Sequence, residues 1–111
     1  MKINIDKDGD VFICRLKGEI TFSNSPELRK SFIKLIDEQA RKLILDLEKV
    51  TYMDSSGLAT LVEILQKLKS SGGQLKLANL QEMVKSVFEI TKLEQMFEFY
   101  PEARQAVESF K

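Results

Sequence analysis

The sequence predicts an α/β fold: a single mixed β-sheet, an N-terminal antiparallel hairpin followed by parallel βα units, flanked by about four helices. Three observations carry this. A hairpin pattern opens the chain, strand-like and helix-like periodicities then alternate to its end, and the run Leu43-Ile44-Leu45-Asp46-Leu47 is almost continuously apolar. Strands separated by helices pair in parallel, because a parallel neighbour requires a crossover. A strand covered on both faces loses the polar alternation of a half-exposed one.

Taken in order, Ile3 and Ile5 alternate with polar residues, Asp6-Lys7-Asp8-Gly9-Asp10 supplies a turn, and Val11 to Leu16 forms the second strand. Asp-Gly between apolar runs is a strong hairpin signal. Gly18 to Ser23 is expected to be a connecting loop, with Ser25 as a helix cap and Pro26 at the first helical position. Leu28, Phe32, Leu35 and Ile36 then recur at helical spacing. After the Leu43–Leu47 strand, a helix aligns Leu58, Leu61, Val62, Leu65 and Leu68 and stops at Ser71-Gly72-Gly73. Leu75 to Ala78 is a short strand. Asn79 with Glu82 three positions on resembles a capping arrangement for a third helix with Leu80, Val84, Val87 and Phe88 inward. Met96 to Tyr100 reads as a last strand or a turn of helix. Pro101 then opens a terminal helix with Ala103, Ala106, Val107 and Phe110 inward.

Composition narrows the function by exclusion. A chain of 111 residues is long enough for one modest core and is expected to be one domain, residues 1–111. Lys+Arg and Asp+Glu balance at 17 each, so no net field recruits nucleic acid or an anionic membrane. No apolar run approaches a membrane span and the N-terminal stretch Met1-Lys2-Ile3-Asn4-Ile5-Asp6 has no signal-peptide core, so a cytoplasmic location is expected. The lone Cys14 excludes an internal disulfide and a Cys-x-x-Cys site, and its apolar strand pattern marks it as a core residue. There is no histidine, which removes Ser-His-Asp and Cys-His nucleophilic systems and His-ligated zinc. No Gly-rich phosphate loop is present. Glu and Asp pairs could still do acid–base work, and a lysine could serve as a base, but no two carboxylates stand out as a buried pair; the expectation is a non-enzymatic chain with no cofactor and no metal.

The most informative stretch is Val50-Thr51-Tyr52-Met53-Asp54-Ser55-Ser56-Gly57-Leu58. It places a carboxylate and two hydroxyls at a helix start after a central strand. Free backbone N–H groups and the helix dipole favour negative charge there. Asp54 or Ser55 suits an N-cap, worth about 1 kcal/mol. A cap explains neither both serines nor Gly57, which costs roughly 0.5–1 kcal/mol relative to Ala within a helix. Bare backbone at Gly57 points to close approach of another element or molecule. A nucleophilic serine lacks a histidine base and a Gly-x-Ser-x-Gly elbow. Phosphorylation fits better, because it adds roughly −1.5 to −2 charges where a helix start can hold them.

Three segments give this chain a specific likeness: Leu16-Lys17-Gly18-Glu19-Ile20, Leu43 to Leu47, and Tyr52-Met53-Asp54-Ser55-Ser56-Gly57-Leu58, with Gly72-Gly73 before a short strand. On these residues the chain resembles a STAS domain of the anti-sigma-factor antagonist type, from end to end, and so a stand-alone antagonist. The resemblance implies partner switching. The unphosphorylated protein binds an anti-sigma factor with serine kinase activity and frees the sigma factor; phosphorylation of the serine after the motif Asp breaks the complex, and a serine phosphatase resets it. By position that serine is Ser55. The ATP belongs to the kinase. The family often carries an Asp shortly after Leu-x-Gly-Glu, where this chain has Thr21. The implied partner surface comprises Thr21, Ser23, Asp54, Ser55, Ser56, Gly57, Ala59, Thr60 and Glu63. The alternatives are an unphosphorylated STAS adaptor in a transport or stress-sensing assembly, and a small enzyme or lipid- or nucleotide-binding domain.

Overall fold

In the computed structural model, which describes residues 1–111, five strands form one sheet in the order of the chain. The strands are β1 (Lys2–Asp8), β2 (Val11–Ile20), β3 (Lys42–Met53), β4 (Gln74–Ala78) and β5 (Glu98–Tyr100). The first two pair antiparallel across a Gly9-Asp10 turn, and every later pairing is parallel. The helices are α1 (Ser25–Asp37), α2 (Ser55–Ser70), α3 (Glu82–Ile90) and α4 (Ala103–Ser109), with a 3-10 turn at Glu94–Met96. No helix is long and apolar enough to cross a membrane.

The central position of β3 explains its composition. Leu43 to Leu47 is buried at every residue, between β2 and β4 and under helices on both sides. The main core packs Leu43, Leu45 and Leu47 against Leu28 and Phe32 of α1, Leu61, Ile64 and Leu65 of α2, and Val84 and Phe88 of α3. The opposite face carries a smaller cluster, in which Ala106 and Val107 of α4 cover Val11, Ile13, Ile44 and Ala78. Lys76 is buried on that side. Its Nζ donates to Ser109 Oγ at 2.6 Å and sits 4.0 Å from the centre of the Phe110 ring, a cation–π contact that ties α4 down.

Several boundaries differ from the sequence expectation, each for a local reason. Gly18–Ile20 belongs to β2 rather than to a loop, because two register shifts let the strand follow β3 to Met53. The strand expected at Leu43–Leu47 therefore continues for six further residues, Glu48 to Met53. Asn24, not Ser25, holds the N-cap position of α1, and Ser25 is the first helical residue, ahead of Pro26. Asn79 caps nothing. It sits at φ 60 and donates through Nδ2 to Asp46 Oδ1 at 3.0 Å, and Gln81 is the N-cap of α3. The Met96–Tyr100 segment divides, its first residue closing the 3-10 turn and its last three forming β5. Pro101 precedes α4 without opening it; Glu102 is the N-cap, and its N–H donates to Gln105 Oε1 at 3.2 Å.

Cys14 lies in the main core with no exposed surface, and burial pushes its thiol up to about 12. The thiolate is the reactive form. A thiol reagent at mildly alkaline pH should therefore leave the native protein unmodified and label it at the rate of unfolding in urea. Prompt labelling of the folded chain would contradict this placement.

Candidate functional site

The site is built at the carboxyl end of β3. There β4 has already ended, since its pairing with β3 stops at Asp46–Ala78, and only β2 accompanies the strand to Met53. The chain then turns at Asp54, extended at φ −97 and ψ −179, and enters α2. Asp54 is the N-cap. Its Oδ1 accepts the Gly57 N–H at 2.9 Å, and its backbone carbonyl accepts the Leu58 N–H at 3.1 Å. The amides of Ser55 and Ser56 lie at the helix start, where no carbonyl of the preceding turn exists to receive them. The first turn of α2 carries no acidic residue, so the carboxylate at the dipole's positive end is that of the N-cap Asp54, while Lys67 and Lys69 in the last turn face the negative end.

Asp54 also joins α2 to β2. Its N–H donates to the Ile20 carbonyl at 3.1 Å, and its Oδ2 accepts the Phe22 N–H at 3.0 Å. Gly57 completes the junction. A Cβ there would stand 2.7 Å from the Ile20 carbonyl oxygen and 2.8 Å from Met53 Cγ. The close approach expected at Gly57 is thus made by the chain's own β2, and the helix start rests directly on that strand.

The structure gathers most of the residues singled out from the sequence. Ser55 is exposed, Ser56 half-buried and Ala59 exposed along the first turns of α2. Thr21 and Ser23 stand beside them on the β2–α1 loop, their hydroxyls 2.8 Å apart. Gly57 and Thr60 are buried; Thr60 is 8% exposed and donates through Oγ1 to the Ser56 carbonyl at 3.0 Å. Glu63 accepts a hydrogen bond from Arg29 Nε of α1 at 2.6 Å, with both side chains about half exposed. Two residues of this surface were not legible in the sequence. Phe22 projects from the loop almost bare, and Arg29 reaches Glu63 only through the packing of α1 on α2. A lone aromatic between Thr21 and Ser23 was the one available signal. A cavity of about 530 Å³ lined by Leu80, Phe88, Glu94 and Phe99 lies beside β5 and includes none of these residues.

Comparison with known proteins identifies the family and the fold. The family model for the STAS domain matches residues 2–106. The anti-sigma-B factor antagonist of Bacillus subtilis is 34% identical over 97% of this chain and all of its own length. A Thermotoga maritima protein classed provisionally as an anti-sigma factor antagonist has a crystal structure that covers 96% of this chain and 92% of its own at 28% identity, with a TM-score of 0.91. The phosphorylated form of SpoIIAA, a Bacillus cell fate determinant, shares the fold at 20% identity and a TM-score of 0.76, covering 99% of this chain and all of its own. The chain belongs to the STAS-domain family, among the anti-sigma factor antagonists.

Proposed function

We propose that this chain acts by partner switching: unphosphorylated, it binds an anti-sigma factor with serine kinase activity, and phosphorylation of Ser55 breaks that complex. One observation carries the reading, the exposure of Ser55 at the first position of a helix whose N-cap is already supplied by Asp54. The hydroxyl is thereby spared from structural duty. A phosphate there gains from the positive end of the dipole, worth about 0.3–1 kcal/mol, and lies outside the core. The modification alters a surface and leaves the sheet intact, which a binding switch requires. The name of the Bacillus subtilis relative supplies the class of partner. The kinase brings the ATP, a serine phosphatase resets the chain, and all of this takes place in the cytoplasm, with residues 1–111 acting as one STAS unit and catalysing nothing themselves.

The contact surface is formed by the starts of α2 and the loop before α1: Thr21, Ser23, Asp54, Ser55, Ser56 and Ala59, with Glu63 further along the helix and Gly57 and Thr60 supporting it from beneath. Incubation with the cognate kinase and ATP, followed by phosphosite mapping, tests the assignment. Phosphate is expected on Ser55 in the wild type and in Ser56→Ala, and none on Ser55→Ala. Phosphate confined to Ser56 would sink the mechanism, and a chain that is never modified but still binds would favour the adaptor reading.

A further inference from the structure

Phe22 is 73% exposed, yet its backbone is not free. Its N–H donates to Asp54 Oδ2 at 3.0 Å, while the flanking Thr21 N–H donates to Asn24 Oδ1 at 2.8 Å. Asn24 Nδ2 returns to the Glu19 carbonyl at 2.6 Å, and the Ser25 N–H closes on the Thr21 carbonyl at 2.8 Å. A single exposed apolar residue is ordinary on a protein surface. An aromatic ring held in water on a backbone fixed at four points, beside the residue before Ser55, is a different case. Binding costs it little further ordering, and aromatic anchors of this kind dominate interface energies.

Asp54 divides one carboxylate between two tasks. Oδ1 caps α2 through Gly57, and Oδ2 holds the loop through Phe22. We infer that Phe22 is the apolar anchor of the partner contact, received by an apolar pocket of the anti-sigma factor, and that Asp54 relays the state of Ser55 to it. The inference rests on the partner-switching reading above. Thr21 beside it carries no charge, so the exposed Phe22 ring is the main apolar surface this loop offers a partner. A phosphate on Ser55 sets about two negative charges beside the Asp54 carboxylate and brings new acceptor oxygens to the same helix start. Repulsion turns the carboxylate. The cap bond joins residues three apart within one turn, whereas the loop bond joins residues 32 apart, so the loop bond yields. Phe22 then loses its tie to α2 as the surface gains charge, while the Thr21, Asn24 and Ser25 bonds still hold the rest of the loop.

Amide exchange, followed by NMR on the whole chain, tests the relay in three forms: wild type, Asp54→Asn, and a chain with phosphoserine incorporated in place of Ser55. Asparagine is itself a good N-cap, but it presents an NH₂ group where Oδ2 accepts the Phe22 N–H. The Phe22 amide should exchange at least about tenfold faster in both altered forms, with Gly57 within about threefold of wild type, as local opening confined to the loop requires. Titration with the anti-sigma factor tests the anchor. Phe22→Ala should weaken the complex by about thirtyfold or more, as an interface hot spot does, and Phe22→Leu should recover most of the loss. Equal Phe22 exchange in all three forms overturns the relay, and Phe22→Ala binding within about threefold of wild type overturns the anchor. If those results appear while Ser55 phosphorylation still blocks the complex, partner switching stands and this inference alone is lost.

Discussion

Replacing Gly57 with alanine is expected to destabilise the protein by about 2 kcal/mol, within the roughly 1–3 kcal/mol typical of overpacking. The added Cβ meets the Ile20 carbonyl oxygen at 2.7 Å and Ile20 Cγ2 and Met53 Cγ at 2.8 Å. Met53 can rotate away; a backbone oxygen in a paired strand cannot. The helix start must therefore lift from β2, stretching the Asp54 N–H to Ile20 carbonyl bond of 3.1 Å. Alanine's better helix propensity, up to about 1 kcal/mol, opposes this and is the reason the net loss is not larger. Gly57→Val adds two more carbons to the same clash and should cost more than alanine. Urea unfolding of the two variants measures this, with an unchanged m-value showing that the denatured state is not the cause. Alanine at wild-type stability would mean that the junction of β2 and α2 is looser than its geometry indicates.

The junction also separates what the sequence disclosed from what it did not. Leu43 to Leu47 was legible because burial on both faces leaves an uninterrupted apolar run. Its continuation was not. Glu48 and Lys49 are exposed where β4 has ended, and at each register shift β3 carries one residue more than β2, which breaks the two-residue alternation that would have marked a strand to Met53. Asn79 shows a different failure. Its spacing to Glu82 imitates a helix start, but the side chain is spent on Asp46, a contact 33 residues away that no local pattern encodes.

Among the site residues, the cap was legible as far as Asp54 or Ser55 because it is local, and the structure gives it to Asp54, which meets Gly57 three residues on through one hydrogen bond. Gly57 announced a close approach by its cost within a helix, and the structure identifies the approaching group as Ile20. Phe22 and Arg29 could not be read. Their meaning depends on which elements stand side by side, Phe22 through a bond to Asp54 and Arg29 through its pairing with Glu63. Local chemistry was visible in the sequence, and the second, tertiary partner of each group was not.

Ser55→Asp should weaken binding of the anti-sigma factor at least about tenfold, or ~1.4 kcal/mol. The substitution leaves the fold almost unaffected, since Ser55 is exposed and Asp54 already supplies the cap. An acidic residue in the first turn even gains slightly from the dipole. Stability and binding should therefore move in opposite directions or independently, which separates a surface effect from a folding one. The binding loss arises because the interface must desolvate a carboxylate that no group in it was arranged to pair, a cost of several kcal/mol when uncompensated. Phosphoserine carries nearly twice the charge of aspartate and should do more. Ser55→Ala removes only a hydroxyl, so it should bind as wild type does and stay bound in the presence of kinase and ATP. Titrations of the three forms, with thermal melts run in parallel, give the measurement. Wild-type affinity for Ser55→Asp would remove charge at the start of α2 as the switch, whatever its position at the surface.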